Sequence, residues 1–324
     1  MRDGKSLRVA GGVLGLIGLL AAPAFIGDQF TSVLIFAAIY TVILSGLNLF
    51  MGFTGQISFG HNAFAAFGGY GTAILTTTWG WPPLAAMLAG VGLSAGGALL
   101  IGYPSLRLRG HYLAMATFAF GLITDEVALQ WRGLTRGSFG ISAIPSLGVG
   151  SWELTSDLQY YYTYWLIAGI ALWTAYRAGG TRFGRALHSV AGDAQAAQAL
   201  GVNVAGYKLR SFVLSAVYAA IGGSMFAHYV TFISPEVFGL YMVVTLVTML
   251  FVGGIGTTLG PVLGAVTMSL VPELLRVVSD AREIAYGVVL LLILLFAPRG
   301  LQALATISLP SRKARPIPAP PPAA

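Results

Sequence analysis

Residues 181–210 read TRFGRALHSVAGDAQAAQALGVNVAGYKLR, a polar and mostly basic interval between two strongly apolar segments. The interval carries the punctuation of a short helix. Asp193 can accept backbone N–H bonds as an N-cap, and Gly201 suits the left-handed position just past the C-terminus. Between them Ala194–Leu200 is rich in alanine and glutamine. A helix of about eight residues is marginal alone in water. Its outer face would be mostly methyl groups, which let another surface approach closely. A docking helix and an ordinary surface helix both fit this spacing.

The flanking segments decide the class. The 324 residues are 56% hydrophobic and 9% charged, against roughly 25% charged in soluble domains. The mean hydropathy is +0.79. Apolar runs of about 18 residues or more recur, as transmembrane helices require. They do not alternate as barrel strands would. The expected fold class is therefore all-α, a polytopic integral membrane protein. Predicted spans are 9–26, Phe30–Met51, Ile57–Thr78, Pro82–Gly102, Gly110–Trp131, Gln159–Tyr176, Leu209–Phe232, Gly239–Leu259, Gly260–Ser279 and 284–297, about ten transmembrane helices. Residues 1–308 then form one transmembrane domain, and 309–324 a disordered, Pro-rich cytoplasmic tail. Basic residues before 9–26 and Ala21-Ala22-Pro23-Ala24 after it could mark a signal peptide; the length of the run and the many later spans favour an uncleaved helix. The lipid bilayer is thus a partner by composition.

Charge sets the orientation. With the N-terminus in the cytoplasm, fourteen of the 18 Lys and Arg fall inside. Only Arg132, Arg136, Arg276 and Arg282 fall outside, so the positive-inside rule disfavours the inverse topology. Both termini and the 181–210 loop are then cytoplasmic, and the 132–158 loop is outside. Tyr160, Tyr161, Tyr162, Tyr164 and Trp165 follow that outer loop, as an interfacial aromatic belt would.

Three stretches inside the apolar pattern carry polar or flexible chemistry. Gly55-Gln56-Ile57-Ser58-Phe59-Gly60-His61-Asn62-Ala63-Phe64 opens the third span. At membrane depth Gln56, Ser58, His61 and Asn62 must face protein or a watery cavity. They are read either as interhelical hydrogen-bond partners or as part of a translocation pathway or gate. Phe251–Ala265 is dense in glycine. Gly253, Gly254, Gly256 and Gly260 suggest a tight cytoplasmic turn, with a mechanical hinge as the alternative. Leu106-Arg107-Leu108-Arg109-Gly110-His111-Tyr112 reads as a basic topology anchor.

These stretches together resemble the permeases of ABC importers. Asp193-Ala194-Gln195-Ala196-Ala197-Gln198-Ala199-Leu200-Gly201 resembles their "E-A-A, then G" cytoplasmic loop, with Asp for the usual Glu. Gly55–His61 resembles the G-Q-x-S-x-G-H signature of the branched-chain amino acid permeases. Leu106–Tyr112 is similar to the L-R-L-R-G-x-Y stretch of their M-type subunit, and Pro298-Arg299-Gly300-Leu301 to their usual ending. Leu134–Ile141 follows the family's outer-loop pattern L-T-G-G-x-D-G only loosely, without its Asp. The resemblance implies a type II-like importer permease of the bacterial inner membrane that moves amino acids, most often leucine, isoleucine and valine. It implies a homologous H-type permease as heterodimer partner, two cytoplasmic ABC ATPases and a periplasmic binding protein. ATP and Mg would belong to the ATPases. It also implies that 181–210 holds the coupling helix, with Asp193, Ala196, Ala197, Leu200 and Gly201 as the ATPase-coupling residues. A permease for urea or short amides is the nearest alternative.

Other chemistries find little support. The chain has no cysteine, which excludes a thiolate nucleophile or an iron–sulfur cluster. His61, His111, His188 and His228 lack metal-ligand spacing. No catalytic set is legible, so no enzyme is expected, no cofactor on this chain and no metal. The basic balance follows topology, so no nucleic-acid partner is implied. Gly4-Lys5-Ser6 is too close to the start to end a phosphate-binding loop. Asp125, Glu126 and Glu273 lie in spans near their outer ends, where solvation or pairing with Arg132 or Arg276 competes with a proton-relay role. A stand-alone secondary transporter would place more ionisable groups near the midplane.

Overall fold

The computed structural model describes residues 27–108, 110–149 and 152–275, with isolated positions 23, 287, 291, 295 and 300–302. The predicted spans 9–26 and 284–297, Arg109, Arg276, Pro298, Arg299 and the 309–324 tail lie outside these positions, wholly or in large part. The described chain is helical: α1 Asp28–Thr54, α2 His61–Thr77, α3 Pro83–Ser105, α4 His111–Gln130, the single turn α5 Arg132–Thr135, α6 Asp157–Gly180, α7 Arg182–Gly192, α8 Ala194–Ala199, α9 Val204–Val230, α10 Leu240–Gly253 and α11 Gly260–Leu274. Among the described residues five helical segments are long and apolar enough to cross a membrane, and all five fall on predicted spans.

The bundle is built around α1. Its most apolar window is 83% buried, against 22% for α3 and 33% for α4. A helix apolar on all sides can be enclosed by other helices or face lipid; α1 does the first. It packs on α9, α6 and α11, while α2 packs on α9 and α3. The α2–α9 crossing is close because both backbones lack side chains there. A Cβ on Gly223 would run into the Ala65 carbonyl, and one on Gly68 into that of Ala220. Small residues at such crossings let van der Waals packing replace the absent hydrophobic drive between helices in lipid. Hydroxyls stitch the packing: Ser224 Oγ of α9 donates to Gly68 O of α2 (3.0 Å), and Ser94 Oγ of α3 to Ala216 O of α9 (3.1 Å).

Several boundaries move for local reasons. α6 begins at Asp157 rather than Gln159, because Ser156 and Gln159 form a reciprocal capping box. α9 begins at Val204 rather than Leu209, where Asn203 Oδ1 accepts from Gly206 N at 2.9 Å. α2 begins at His61 rather than Ile57, since left-handed Gly55 (φ +66°) ends α1 and the chain is irregular through Gly60.

The outer loop is tied down. Ile141–Ser142 (β1) pairs antiparallel with Phe232–Ile233 (β4), and Gly148–Val149 (β2) pairs with Trp152–Glu153 (β3). His228 bridges Thr72 Oγ1 (3.1 Å) and the Pro145 carbonyl (2.7 Å), pinning this loop to α2 and α9. The aromatic run beside it is not an interfacial belt. Tyr160, Tyr161, Tyr164 and Trp165 are buried, and only Tyr162 is exposed. Tyr160 and Tyr164 donate their hydroxyls to His228 O (3.1 Å) and Met225 O (2.7 Å) at the last turns of α9. Helical spacing turns these rings inward, where the phenols of Tyr160 and Tyr164 find carbonyls.

Candidate functional site

The polar interval folds as an elbow of two helices. α7 was not foreseen as a helix. It is strongly amphipathic: Gly184, Leu187 and Val190 are buried while Arg182, Arg185 and His188 are exposed. Leu187 packs with Leu49, Phe53 and Ala175, so α7 is anchored on α1 and α6. The signal was present in the sequence as Phe183, Leu187 and Val190, spaced i, i+4, i+7.

α8 follows as a rigid one-and-a-half turns. Asp193 Oδ1 accepts from Gln195 N (2.8 Å) and Ala196 N (3.1 Å), as its N-cap position requires. Its far end is closed by Gly201 at φ +85°. Val202 N reaches Ala197 O, and Gly201 N reaches Gln198 O, both at 3.0 Å. That pair of bonds is the Schellman closure. Of the five residues expected to couple, Ala197 faces the protein at 3% exposure, and Asp193, Ala196, Leu200 and Gly201 face outward. Leu200 is 86% exposed. The regular helix is six residues long, shorter than expected, because the left-handed glycine follows so soon.

The Gly55–Phe64 stretch divides between packed and open groups. His61 is buried, with Nδ1 3.2 Å from Ser58 Oγ and Nε2 2.9 Å from Ser215 Oγ on α9. Phe59 N donates to Thr117 Oγ1 of α4 at 3.1 Å. Asn62 Nδ2 donates to Phe238 O at 2.8 Å, but its Oδ1 is enclosed without a partner. Gln56 is half-buried. Ser58, His61 and Asn62 are thus brought together at the foot of α2, and Gln56 lies at the edge of the group.

The glycine stretch is a tight turn between α10 and α11. Gly254 and Gly256 take φ +111° and +74°. Added Cβ atoms would strike backbone: Gly253 against Gly260 O, Gly260 against Gly254 O. Asn48 of α1 holds the turn from below, donating to Thr257 O (2.8 Å) and accepting from Gly256 N (2.7 Å). Gln302 Oε1 accepts from Leu259 N at 3.0 Å, bringing the chain's last described residues to the same place. Asn48 escaped sequence reasoning; its signal was a lone amide within an apolar run.

Of the two expectations for the carboxylates at the outer ends, exposed Glu126 follows solvation, and Arg276 lies outside the described residues. Among the described residues Asp125 and Glu126 form no ion pair with Arg132. Glu126 accepts from Gln130, and Glu273 from Gln29. Asp125 stands within electrostatic reach of Glu126 and Glu236. Below it, α4 and α10 frame an open apolar groove of about 580 Å³, lined by Phe59, Ala114, Met115, Phe118, Val243 and Val247 among others. Among the described residues no cluster could hold a metal ion.

Comparison with known proteins agrees with this layout. The family model described as branched-chain amino acid transport system / permease component matches residues 29–298. The high-affinity branched-chain amino acid transport system permease protein LivM of Salmonella typhimurium is 29% identical over 92% of this chain and 76% of its own length. LivH of the corresponding Escherichia coli K12 system is 26% identical over 86% of this chain and 95% of its own. The autoinducer 2 import system permease protein LsrC of Yersinia pseudotuberculosis is 27% identical over 92% and 85%. No solved structure matches the chain.

Proposed function

The chain belongs to the branched-chain amino acid transport permease family, and from that premise we propose that it is the membrane subunit of an ATP-driven importer of leucine, isoleucine and valine. It works in the bacterial inner membrane with both termini in the cytoplasm. It pairs with a homologous H-type permease, and two ABC ATPases and a periplasmic binding protein complete the assembly. ATP and Mg act on the ATPases, and this chain supplies the path and the lever.

The observation that carries this reading is the elbow of α7 and α8. A six-residue helix has no reason to be rigid in a connecting loop. This one is capped at both ends, footed on α1 and α6 through α7, and presents a bare leucine to the side where positive charge places the cytoplasm. Asp193 and Gly201 fix its shape, Ala197 seats it, and Ala196 and Leu200 meet the ATPase. Closure of the ATPases then moves the elbow as a rigid body. Motion enters α1 through Leu187 and α9 through the Gly201–Asn203 connection.

The second permease is placed over the groove between α4 and α10, where an open apolar wall belongs against protein or lipid. The pathway runs beside it. Gln56 and Asn62 face the path, while Ser58 and His61, tied to Ser215, hold the frame of an inner gate. The clamped turn of Gly253, Gly254, Gly256 and Gly260 pivots as one piece on Asn48.

The test is reconstitution of the chain with its genomic neighbours in proteoliposomes. ATP-dependent uptake of branched-chain amino acids, absent with urea and lost when Asp193–Gly201 is scrambled, is the expected result. Uptake by this chain alone without ATP would overturn the reading in favour of a secondary transporter.

A further inference from the structure

Among the described residues four buried side-chain atoms break the rule that buried polar groups are paired: Trp165 Nε1 on α6, Ser269 Oγ on α11, and two oxygens that share one helix. Asn62 Oδ1 and Tyr70 Oη are enclosed and have no hydrogen-bond partner. The two residues are 1% and 6% exposed. Both sit on α2, which packs here against α4 and the turn Pro235–Phe238. Asn62 holds the Phe238 carbonyl and abuts α4 at Gly121, where a Cβ would lie 2.6 Å from Oδ1. The Tyr70 ring packs on that of Phe238 at 6.0 Å, and its hydroxyl is within electrostatic reach of Asp125.

Depth follows from helix geometry. Gly121 lies ten residues into α4, about 15 Å along its axis, near the middle of a hydrocarbon layer of roughly 30 Å. Asp125 is one turn further out, its Oδ2 3.4 Å from the Cβ position of Gly239. It is half-buried, and exposed Glu236 and Glu126 stand near it. Among the described residues it has no cationic partner. A carboxylate at this position costs free energy unless something positive meets it for part of its working cycle.

The geometry points to a subsite for the ammonium group of the transported amino acid where α2, α4 and this turn meet, with Asp125 as counter-ion and the unpaired oxygens of Tyr70 and Asn62, uncovered when the helices part during transport, as further acceptors. The inference rests on the amino-acid permease reading and deepens it. The chemistry favours an ammonium over a metal ion: one half-buried carboxylate, a phenol and an amide oxygen match N–H donors, and no metal-holding cluster exists among the described residues. Gly239 leads directly to Leu240, which lines the apolar groove below. A molecule with a cationic head and an aliphatic body thus meets an anion first and an apolar wall next. His111, at the opposite end of the groove from Leu240, is the one basic side chain among its described lining residues, so beside Asp125 the ammonium end is the one held.

The test is retention of tritiated L-leucine by the purified permease–ATPase complex, read by scintillation proximity without the soluble binding protein. Isoamylamine, which keeps the ammonium and loses the carboxylate, is expected to displace it. Isocaproate, which keeps the carboxylate and loses the ammonium, is expected not to. Asp125→Asn should weaken retention at least tenfold and Tyr70→Phe about threefold, since a lost charged partner outweighs a lost neutral one. Absence of saturable retention, equal displacement by isocaproate or NaCl, or unchanged affinity in Asp125→Asn would each overturn the inference. The competition in wild-type protein decides the matter even where a variant fails to fold. Import by the complete transporter is measured alongside. Leucine import without this retention leaves the proposed function standing and removes the subsite; no leucine import removes the function itself.

Discussion

Replacing Leu200 by serine should weaken the hold of the ATPase subunit without touching the stability of the permease. Leu200 is 86% exposed in the free chain, so nearly its whole side chain is available for burial by a partner. Full burial of a leucine is worth about 1.5–3 kcal/mol. Each 1.4 kcal/mol is a factor of ten in affinity, so the substitution should raise the dissociation constant by roughly 10- to 100-fold. The entropic costs of association cancel between the two proteins, because α8 keeps its Asp193 cap and its Gly201 closure in both. The folded permease loses no internal contact of weight, and its melting point should shift by no more than a surface change of about 0.5 kcal/mol allows.

The assay is titration of purified ATPase subunits onto the permease pair in nanodiscs, with thermal unfolding recorded in parallel. Affinity equal to wild type would refute the assignment of Leu200 as a contact. A lowered melting point would refute the premise that its side chain is free. Ala197→Leu is the opposite case. Ala197 faces the protein, so overpacking there should cost about 1–3 kcal/mol of stability and disturb binding only through the misplaced helix.

Three further outcomes follow from the interior. Asn48→Leu removes both bonds that hold Gly256 and Thr257; each stranded backbone group costs about 1–3 kcal/mol, so the melting point should fall and proteolysis near residue 256 quicken, and an unchanged melting point would count against the clamp. Gly223→Val drives a side chain into the Ala65 backbone and should abolish the folded bundle, whereas Gly96→Ala, with nothing within 4 Å of its Cβ, should be neutral or stabilising by about 0.5–1 kcal/mol; size-exclusion profiles in detergent separate the two. His228→Phe unties Thr72 from Pro145, and backbone hydrogen exchange at Ile141 and Ile144 should accelerate about tenfold or more for a loss of 1–3 kcal/mol; unchanged exchange would show that the β1–β4 pairing holds the loop alone.

What could be read from the chain and what could not divide along a physical line. Spans, the Asp193 cap and the left-handed Gly201 are local: each follows from a composition window or from a few neighbouring residues; the cap and the glycine stand where they were expected, and the five long apolar segments described fall on predicted spans with shifted ends. α7 was local too, but its apolar stripe of Phe183, Leu187 and Val190 lay inside an interval taken as polar, where three apolar residues among basic ones are easily passed over. The tyrosines after the outer loop went wrong for a different reason. Amphipathic rings suit an interface and a buried carbonyl equally well, and only the position of α9 decides between them.

The remaining contacts join residues far apart in the chain: His61 to Ser215, Thr72 to His228 and Asn48 to Thr257 are separated by 154 to 209 residues. The rule that polar groups at membrane depth need partners says that such bonds exist, not which ones. It has a second use once the fold is known. When nearly every buried hydroxyl, imidazole and amide along α1, α2 and α9 has found its carbonyl, an atom that has not is set apart by the fold itself. Asn62 Oδ1 and Tyr70 Oη are set apart in this way, on one helix and beside a carboxylate that has no cationic partner among the described residues. Neither sequence pattern nor family resemblance marks that conjunction. It follows from helix packing that satisfied the neighbours and left these two oxygens enclosed and unpaired, where a molecule that passes as the helices part can satisfy them and one that stays is not needed.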